Sequence, residues 1–381
     1  MHFNEKGLLT SIDGDSIAKS AFRVIKEEQT TTTGLICRWE KLNLAVLKNW
    51  RFKTLYTIAG SSGSGKSYIL NMLRSDFTDT QQIILKTKGL STKYIEQLIT
   101  YGEFIRVGDD LVRNPINGDF NKKILWLNFG FDMAAEIELL RSAAIITGTS
   151  YAHLLSSSLL TGRDEAPIYN KITEEEAYVV QRVMRQYSDH RPNVVYFREP
   201  GTIQDILIVI DKYANRYPDH QLAISIDHLL LLEKGSLKSD LELQNDAIKK
   251  LKDARDIYNA MIIDLTQFNS EIEEDRRRLN HVLHYPMKSD IYCGGQVFQS
   301  SDFVFTAFMP ESINLTSYGP RKVPTSKLIH FGMIKSRHGK TGNTWLLNHL
   351  ERGQIYGTSL PYSPTSEKMI LVPQKTLINQ V

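Results

Sequence analysis

The stretch Gly60-Ser61-Ser62-Gly63-Ser64-Gly65-Lys66-Ser67 reads "GSSGSGKS" and satisfies G-x-x-x-x-G-K-[ST] in full. Each residue type has a chemical reason to be there. The glycines let backbone N–H groups close on phosphate oxygens, Lys66 reaches the β- and γ-phosphates, and the Ser67 hydroxyl ligates Mg²⁺. A helix starting at this point turns its positive end toward the anion. The competing reading is a flexible Gly/Ser turn. Against it, the apolar run "TLYTIA" before the loop predicts a strand, and "KSYILNMLRSDF" after it predicts a helix.

A phosphate loop needs a second group to hold the metal. In "AISIDHLL", Asp227 follows an apolar run, which places it at the carboxyl end of a central strand beside the phosphates. Hydrolysis also needs a group to orient water. Asp132 in "WLNFGFDMAAE" ends another strand and could take a proton from water; an Asp opening a helix is also a common cap. Gln267 and Asn269 in "IIDLTQFNS" end a further strand, where amides can sense a γ-phosphate or simply satisfy a polar loop. In "GMIKSRHGKTG", Lys335 and Arg337 alternate, which puts both on one strand face. Two cations aimed together suit transition-state charge, and a solvated basic hairpin is the plainer reading.

The elements that position these groups alternate. Strands are expected at "TLYTIAG", "KILWLNFGF", "LAISIDHLLLL" and "AMIIDLTQF", with helices at "KSYILNMLRSDF", "MAAEIELLRSAAII" and "ELQNDAIKKLKDARDIYN". "DFVFTAFM" and "KLIHFGMIKS" are expected to pair as late strands. This alternation predicts an α/β fold with a mainly parallel sheet. Residues 13–28 predict a short amphipathic helix, with Ile17, Ala21, Phe22 and Ile25 on one face. It packs on its own domain or docks on a neighbouring subunit. Residues 1–32 are read as an N-terminal segment, 33–357 as the ATPase domain, and 358–381 as a Pro/Ser/Thr-rich tail.

The 381 residues carry 46 basic and 43 acidic side chains, a net charge of +3, so any nucleic-acid contact must come from local patches. Two cysteines, Cys37 and Cys293, form neither a disulfide framework nor a metal pattern. No signal peptide and no membrane-length apolar run is visible, so a cytoplasmic protein without membrane contact is expected.

In order along the chain, these motifs resemble the C-terminal ATPase domain of DnaB-type replicative helicases, a RecA-like P-loop family. "TTGLICRWEKLN", "YTIAGSSGSGKS", "FGFDM", "AISIDHLLLL", "LTQFN" and "IKSRHGKTG" carry the likeness, over roughly residues 33–350. "PNVVYFREPGTIQDILIVIDKY" adds to it between them. The resemblance implies ATP and Mg²⁺ as cofactors. It assigns Lys66 and Ser67 to phosphate and metal, Asp227 to the metal-holding acid, and Gln267 to coupling. Lys335 and Arg337 would reach a neighbouring subunit's site, Arg337 as an arginine finger.

Three departures stand out. Asp132 occupies the place of the family's catalytic glutamate and is one methylene shorter. The family's DNA-contact motif lines up with "IYCGGQVFQSSD", where its Arg and Glu become Tyr292 and Cys293, while Gly295, Gln299 and Asp302 remain. Tyr292 could stack on a base or sit in the core. Lys234, Lys238 and Arg276, Arg277 and Arg278 are the candidate phosphate contacts, though acids surround the arginine run. Only residues 1–32 stand where the family carries a collar domain, and the helix over 13–28 is the expected linker of the ring. The implied function is an ATP-driven, ring-forming helicase, a hexamer, translocating on single-stranded or forked DNA, with primase or another replisome protein as partner. The rivals are a non-unwinding nucleotide switch and a strand-exchange recombinase.

Overall fold

The structure is a computed structural model that describes residues 34–78, 82–117, 124–131, 134–155, 172–189, 194–337, 339–359 and 372–373. The expected helix over 13–28, Asp132, and most of the tail lie outside these residues.

In chain order, strand β1 (Thr54–Gly60) leads into helix α1 (Lys66–Thr78). Next come β2 (Ile83–Lys86), α2 (Thr92–Thr100), β3 (Ile105–Val107) and β4 (Asp110–Arg113). The central elements are β5 (Ile124–Gly130), α3 (Ala135–Thr147), α4 (Tyr151–Leu155) and α5 (Glu174–Asp189). They continue with β6 (Val194–Phe197), α6 (Ile203–Arg216), β7 (Gln221–Asp227), α7 (Asp240–Ile257) and β8 (Met261–Gln267). The chain closes with α8 (Gly294–Ser300), β9 (Phe303–Phe308), β10 (Leu328–Ser336), β11 (Gly342–His349), β12 (Gln354–Ser359) and β13 (Val372–Pro373).

A ten-stranded sheet runs in the order β13-β12-β11-β10-β9-β1-β8-β7-β5-β6. Strands β6, β5, β7, β8, β1 and β9 are mutually parallel, and β10 turns antiparallel against β9. The result is a mixed, mostly parallel sheet between helices. Because both faces are covered, β1 is buried at every position, as its continuous apolar run requires. Tyr56, Ile58 and Leu265 pack on Ile69, Met72 and Phe77 of α1. On the other face, Leu55, Ile224 and Ile262 meet Ile206 of α6 and Leu243, Ile248 and Leu251 of α7.

Local signals explain the helix ends. Thr202 and Asp205 form a reciprocal capping box on α6, and Ser239 accepts from Glu242 N at the start of α7. Helix α3 stops at Gly148, whose φ of 64° is left-handed.

Four expectations need correction. The apolar run after Asp227 is not strand: β7 ends at Asp227, and Leu229–Leu231 form one 3₁₀ turn. Strand β10 ends at Ser336, so Arg337 lies just beyond it, its N–H donating to the Asp302 carbonyl at 3.0 Å. The late strand β12 crosses residue 357, and Val372–Pro373 of the tail pairs with it. Finally, residues 83–113 hold a three-stranded antiparallel sheet, β2-β4-β3, that the alternation did not predict.

That small sheet packs Leu85, Phe104 and Leu111 against Ile146 of α3 and Val179 and Val183 of α5. A buried ionic network ties it to the main body. Arg38 pairs with Asp76 of α1 and with Glu103, each at 2.6 Å, and Arg113 pairs with Glu103 at 2.6 Å. All four side chains are at most 3% exposed. Among the described residues, no helix is long and apolar enough to cross a membrane.

Candidate functional site

The loop over residues 61–65 spans the gap between the carboxyl end of β1 and the first turn of α1. Its glycines have identifiable causes. Gly63 and Gly65 adopt φ of +73° and +85°, a region costly for any residue with a Cβ. A Cβ on Gly60 would lie 2.3 Å from the Ala307 carbonyl oxygen of the neighbouring strand β9. The loop closes on itself through Ser64 N–H to the Ser61 carbonyl at 3.2 Å, and Ile69 N–H donates to the Gly65 carbonyl at 2.9 Å. Gly60 through Ser67 thus form one compact turn leading into a helix, with Ser62 exposed at its crest.

Lys66 is buried, and its ammonium donates to the carbonyls of Gly60 at 2.8 Å and Ser61 at 2.7 Å. Burial pulls the amine down to about 8, with the nearby Asp227 carboxylate pulling the other way. The Ser67 hydroxyl donates to Asp227 Oδ2 at 2.6 Å. The serine and the strand-end acid are therefore already side by side. The hydroxyls of Ser61 and Ser64 are buried without a hydrogen-bond partner among the described residues. A cradle of helix-terminal amides, a buried lysine, unpartnered hydroxyls and an adjacent Ser–Asp pair fits a nucleotide phosphate with a divalent cation.

Gln267 stands opposite Gly60 in the β8–β1 register, so it borders the loop. Its amide meets His228 Nε2 at 3.0 Å. His228 was not singled out in the sequence; the only local signal was its place directly after Asp227. The Gln267 carbonyl also accepts from Tyr292 N–H at 2.9 Å, and Phe268 N–H donates to the Gly60 carbonyl at 3.2 Å. One backbone segment thus connects the phosphate loop to Tyr292. Asn269 instead caps the turn that follows, accepting from Glu271 N–H at 3.1 Å.

Asp132 lies outside the described residues. Its flanks show that the capping position of α3 belongs to Ala134, which makes no side-chain cap. Phe131 N–H donates to the Asp227 carbonyl at 3.3 Å, so this strand end adjoins Asp227.

Lys335 and Arg337 are far from the loop of their own chain. Ser336 pairs with Phe303, and Phe303 pairs with Tyr56, near the start of β1. That level is roughly 13 Å along the strand from Gly60, at about 3.3 Å per residue. Both cations close the end of α8. Lys335 donates to the carbonyls of Phe298 and Gln299, and Arg337 to Gln299 O at 3.0 Å and Asp302 Oδ1 at 3.1 Å. Burial, with Arg337 next in weight, pulls Lys335 down to about 8.

The remaining candidates divide. Lys234 and Tyr292 converge on Asp240, at 2.7 and 3.3 Å. Tyr292 is 38% exposed, so the core reading fails. Lys238 is exposed, and a Cβ on Gly295 in α8 would meet open space. Arg276 is exposed and pairs with Glu274, and Arg278 pairs with Asp275. Arg277 is a correction: it is buried against Asp290 and donates to the carbonyls of Leu283 and Tyr285, each at 2.9 Å. It stitches the loop from inside and is unavailable to phosphate there.

No family model matches the chain, and no curated protein is similar to it. Solved structures are similar in fold. One is a solved ATPase domain, which superposes with a TM-score of 0.64 at 14% identity, covering 90% of this chain and 99% of that one. A DnaB-like replicative helicase, solved to examine its interactions with primase, superposes with a TM-score of 0.64 at 15% identity. It covers 92% of this chain and 68% of that one. The chain therefore has the fold of DnaB-like helicase ATPase domains.

Proposed function

We propose that the chain is an ATP hydrolase that assembles as a ring, a hexamer, and translocates on single-stranded DNA to unwind a replication fork. One observation carries this reading. The phosphate loop, Ser67, Asp227 and Gln267 meet at the carboxyl ends of the parallel strands, while Lys335 and Arg337 sit at the other ends. A chain so arranged has the two halves of an NTPase site pointing away from each other. They combine when the next subunit presents its far edge to the loop.

In that assembly Lys66 and the loop amides would hold the ATP phosphates, and Ser67 and Asp227 would hold Mg²⁺. Bound Mg²⁺ would neutralise charge on the phosphates. Asp132 would orient water, and Arg337 of a neighbour would contribute roughly 10³–10⁵ in rate, as such fingers do elsewhere. Gln267, tied to Tyr292, would transmit phosphate state toward the strand-facing segment. Lys234, Lys238, Arg276, Arg278, Tyr292 and Gly295 are the DNA contacts of this reading. An apolar groove of about 840 Å³, lined by Leu140, Leu154, Ala177 and Met184, would receive residues 13–28 of a neighbour. A primase or another replisome protein is the expected partner beyond DNA.

A second reading is favoured by one observation. Lys335 and Arg337 make hydrogen bonds at the end of α8 within their own chain. That suits a nucleotide switch without a trans finger. DNA-stimulated ATP hydrolysis followed by a fork-unwinding assay separates the two. Stimulation with unwinding supports the motor; hydrolysis indifferent to DNA supports the switch. A closed ring in negative-stain images excludes an open recombinase filament.

A further inference from the structure

The helix that starts with Lys66 and Ser67 is cross-linked in its interior to strands β5 and β7 by a buried polar chain. Arg74 of α1 pairs with Glu138 of α3, both side chains at most 7% exposed. Arg74 also donates to Asn71 Oδ1 at 2.9 Å, and Asn71 donates to the Glu138 carbonyl at 3.2 Å. Asn128 of β5 donates to both Glu138 oxygens at 3.0 and 3.2 Å. Ser225 of β7 donates to Asn128 Oδ1 at 2.6 Å, two residues before Asp227. The carboxylate also lies against the strand end: a Cβ on Gly130 would sit 2.8 Å from Glu138 Oε1. Gly130 is the residue paired with Asp227 between β5 and β7.

Burying a charged pair is costly, and apolar residues of similar volume often serve stability as well or better. Stability therefore gives no reason for this pair, and its location gives another. The chain Arg74–Glu138–Asn128–Ser225 runs from the helix bearing Ser67 to the strand bearing Asp227. We infer that Arg74 and Glu138 are positioning residues that fix Asp227 against Ser67, and so set how well a nucleotide-bound divalent cation is held. This rests on the nucleotide site proposed above. Neither side chain is placed to touch nucleotide.

The test uses the full chain and a fluorescent ATP analogue, titrated with and without Mg²⁺, alongside steady-state ATP hydrolysis. Glu138→Gln keeps the shape and removes the charge. Arg74→Met/Glu138→Leu replaces the whole pair with apolar side chains and guards against a misfolded single variant. Both variants are expected to lose about tenfold of the Mg²⁺-dependent gain in affinity and about tenfold in kcat. Affinity without Mg²⁺ should match the parent in both variants, and the double variant, whose Asn128 amide loses its Glu138 acceptor, should still melt in one cooperative transition. A double variant with parental Mg²⁺ enhancement and kcat overturns the inference and leaves the pair a packing element. A parent that binds no nucleotide, with Lys66→Ala changing nothing, overturns the underlying reading instead.

Discussion

The Ser67 hydroxyl donates to the Asp227 carboxylate at 2.6 Å, although 160 residues separate them. The parallel sheet makes that contact possible by bringing β1 and β7 to the same edge with β8 between them. Removing either group should leave the fold intact, since both lie at a strand or helix end. Asp227→Asn is expected to lower Mg²⁺-dependent ATP hydrolysis at least 100-fold. Lys66→Ala should abolish nucleotide binding in equilibrium titrations. Retained ATP hydrolysis in Lys66→Ala would show that the loop is only a turn.

Lys66 also predicts a pH dependence. Burial holds its amine at about 8, while a bound phosphate stabilises the charged form. Below pH 8 the ammonium is already present and affinity is flat. Above it, binding must take up a proton, so affinity should fall by up to tenfold per pH unit. Isothermal titration in two buffers of different ionisation enthalpy would detect the proton uptake at pH 8.5 and none at pH 6.5.

Asp264 predicts the behaviour of the fold itself. It is completely buried in β8, neither carboxyl oxygen has a hydrogen-bond partner among the described residues, and burial with the nearby Asp227 carboxylate raises its pKa well above the usual range. The folded state therefore binds a proton that the unfolded chain releases near pH 4. The stabilising share of that proton is complete below about pH 4 and is lost as pH rises toward the folded value. Asp264→Leu should stabilise at pH 8 by about 1–3 kcal/mol, the usual cost of an unsatisfied buried polar group. The gain should shrink at pH 4.5 in denaturant titrations.

Arg38 anchors the small sheet through Asp76 and Glu103. Removing Arg38 leaves the buried Asp76 carboxylate without its guanidinium, while Glu103 keeps Arg113, so Arg38→Met should cost about 3–5 kcal/mol. Chemical denaturation measures it. A change below 1 kcal/mol would mean that water reaches the pair.

Mixing tests the divided site. Arg337→Ala chains retain a loop, and Lys66→Ala chains retain the cations. If the cations act between subunits, mixtures of the two inactive variants should recover measurable ATP hydrolysis. Mixtures as inactive as their parts would place Arg337 in the structural role its Asp302 contact already offers.

The sequence was most informative where chemistry is compressed into a few neighbours. "GSSGSGKS" between an apolar strand and a helix was legible because strand, turn and helix signals all fall within one short window. Arg277 was misleading for the opposite reason. Its neighbours are charged and solvated, and the acid that buries it, Asp290, lies beyond two further turns. The small sheet escaped because β2, β3 and β4 are short and partly exposed, with Ile84 39% exposed. The alternation of Lys335 and Arg337 was visible, but their distance from the loop depends on β10 running antiparallel to β9, a long-range property. Likewise, nothing near Lys234 or Tyr292 announces that both meet Asp240.

The antiparallel return of β10 has a kinetic consequence. On the proposed reading, the cations lie at the far rim of the sheet from the loop, and a lone chain would not complete a reaction centre. Turnover per molecule is then expected to climb with protein concentration and to decay on dilution, before any nucleic acid is added. The dissociation constant between neighbours would act as the protein's on-switch, and its catalytic output would count assembled contacts instead of chains.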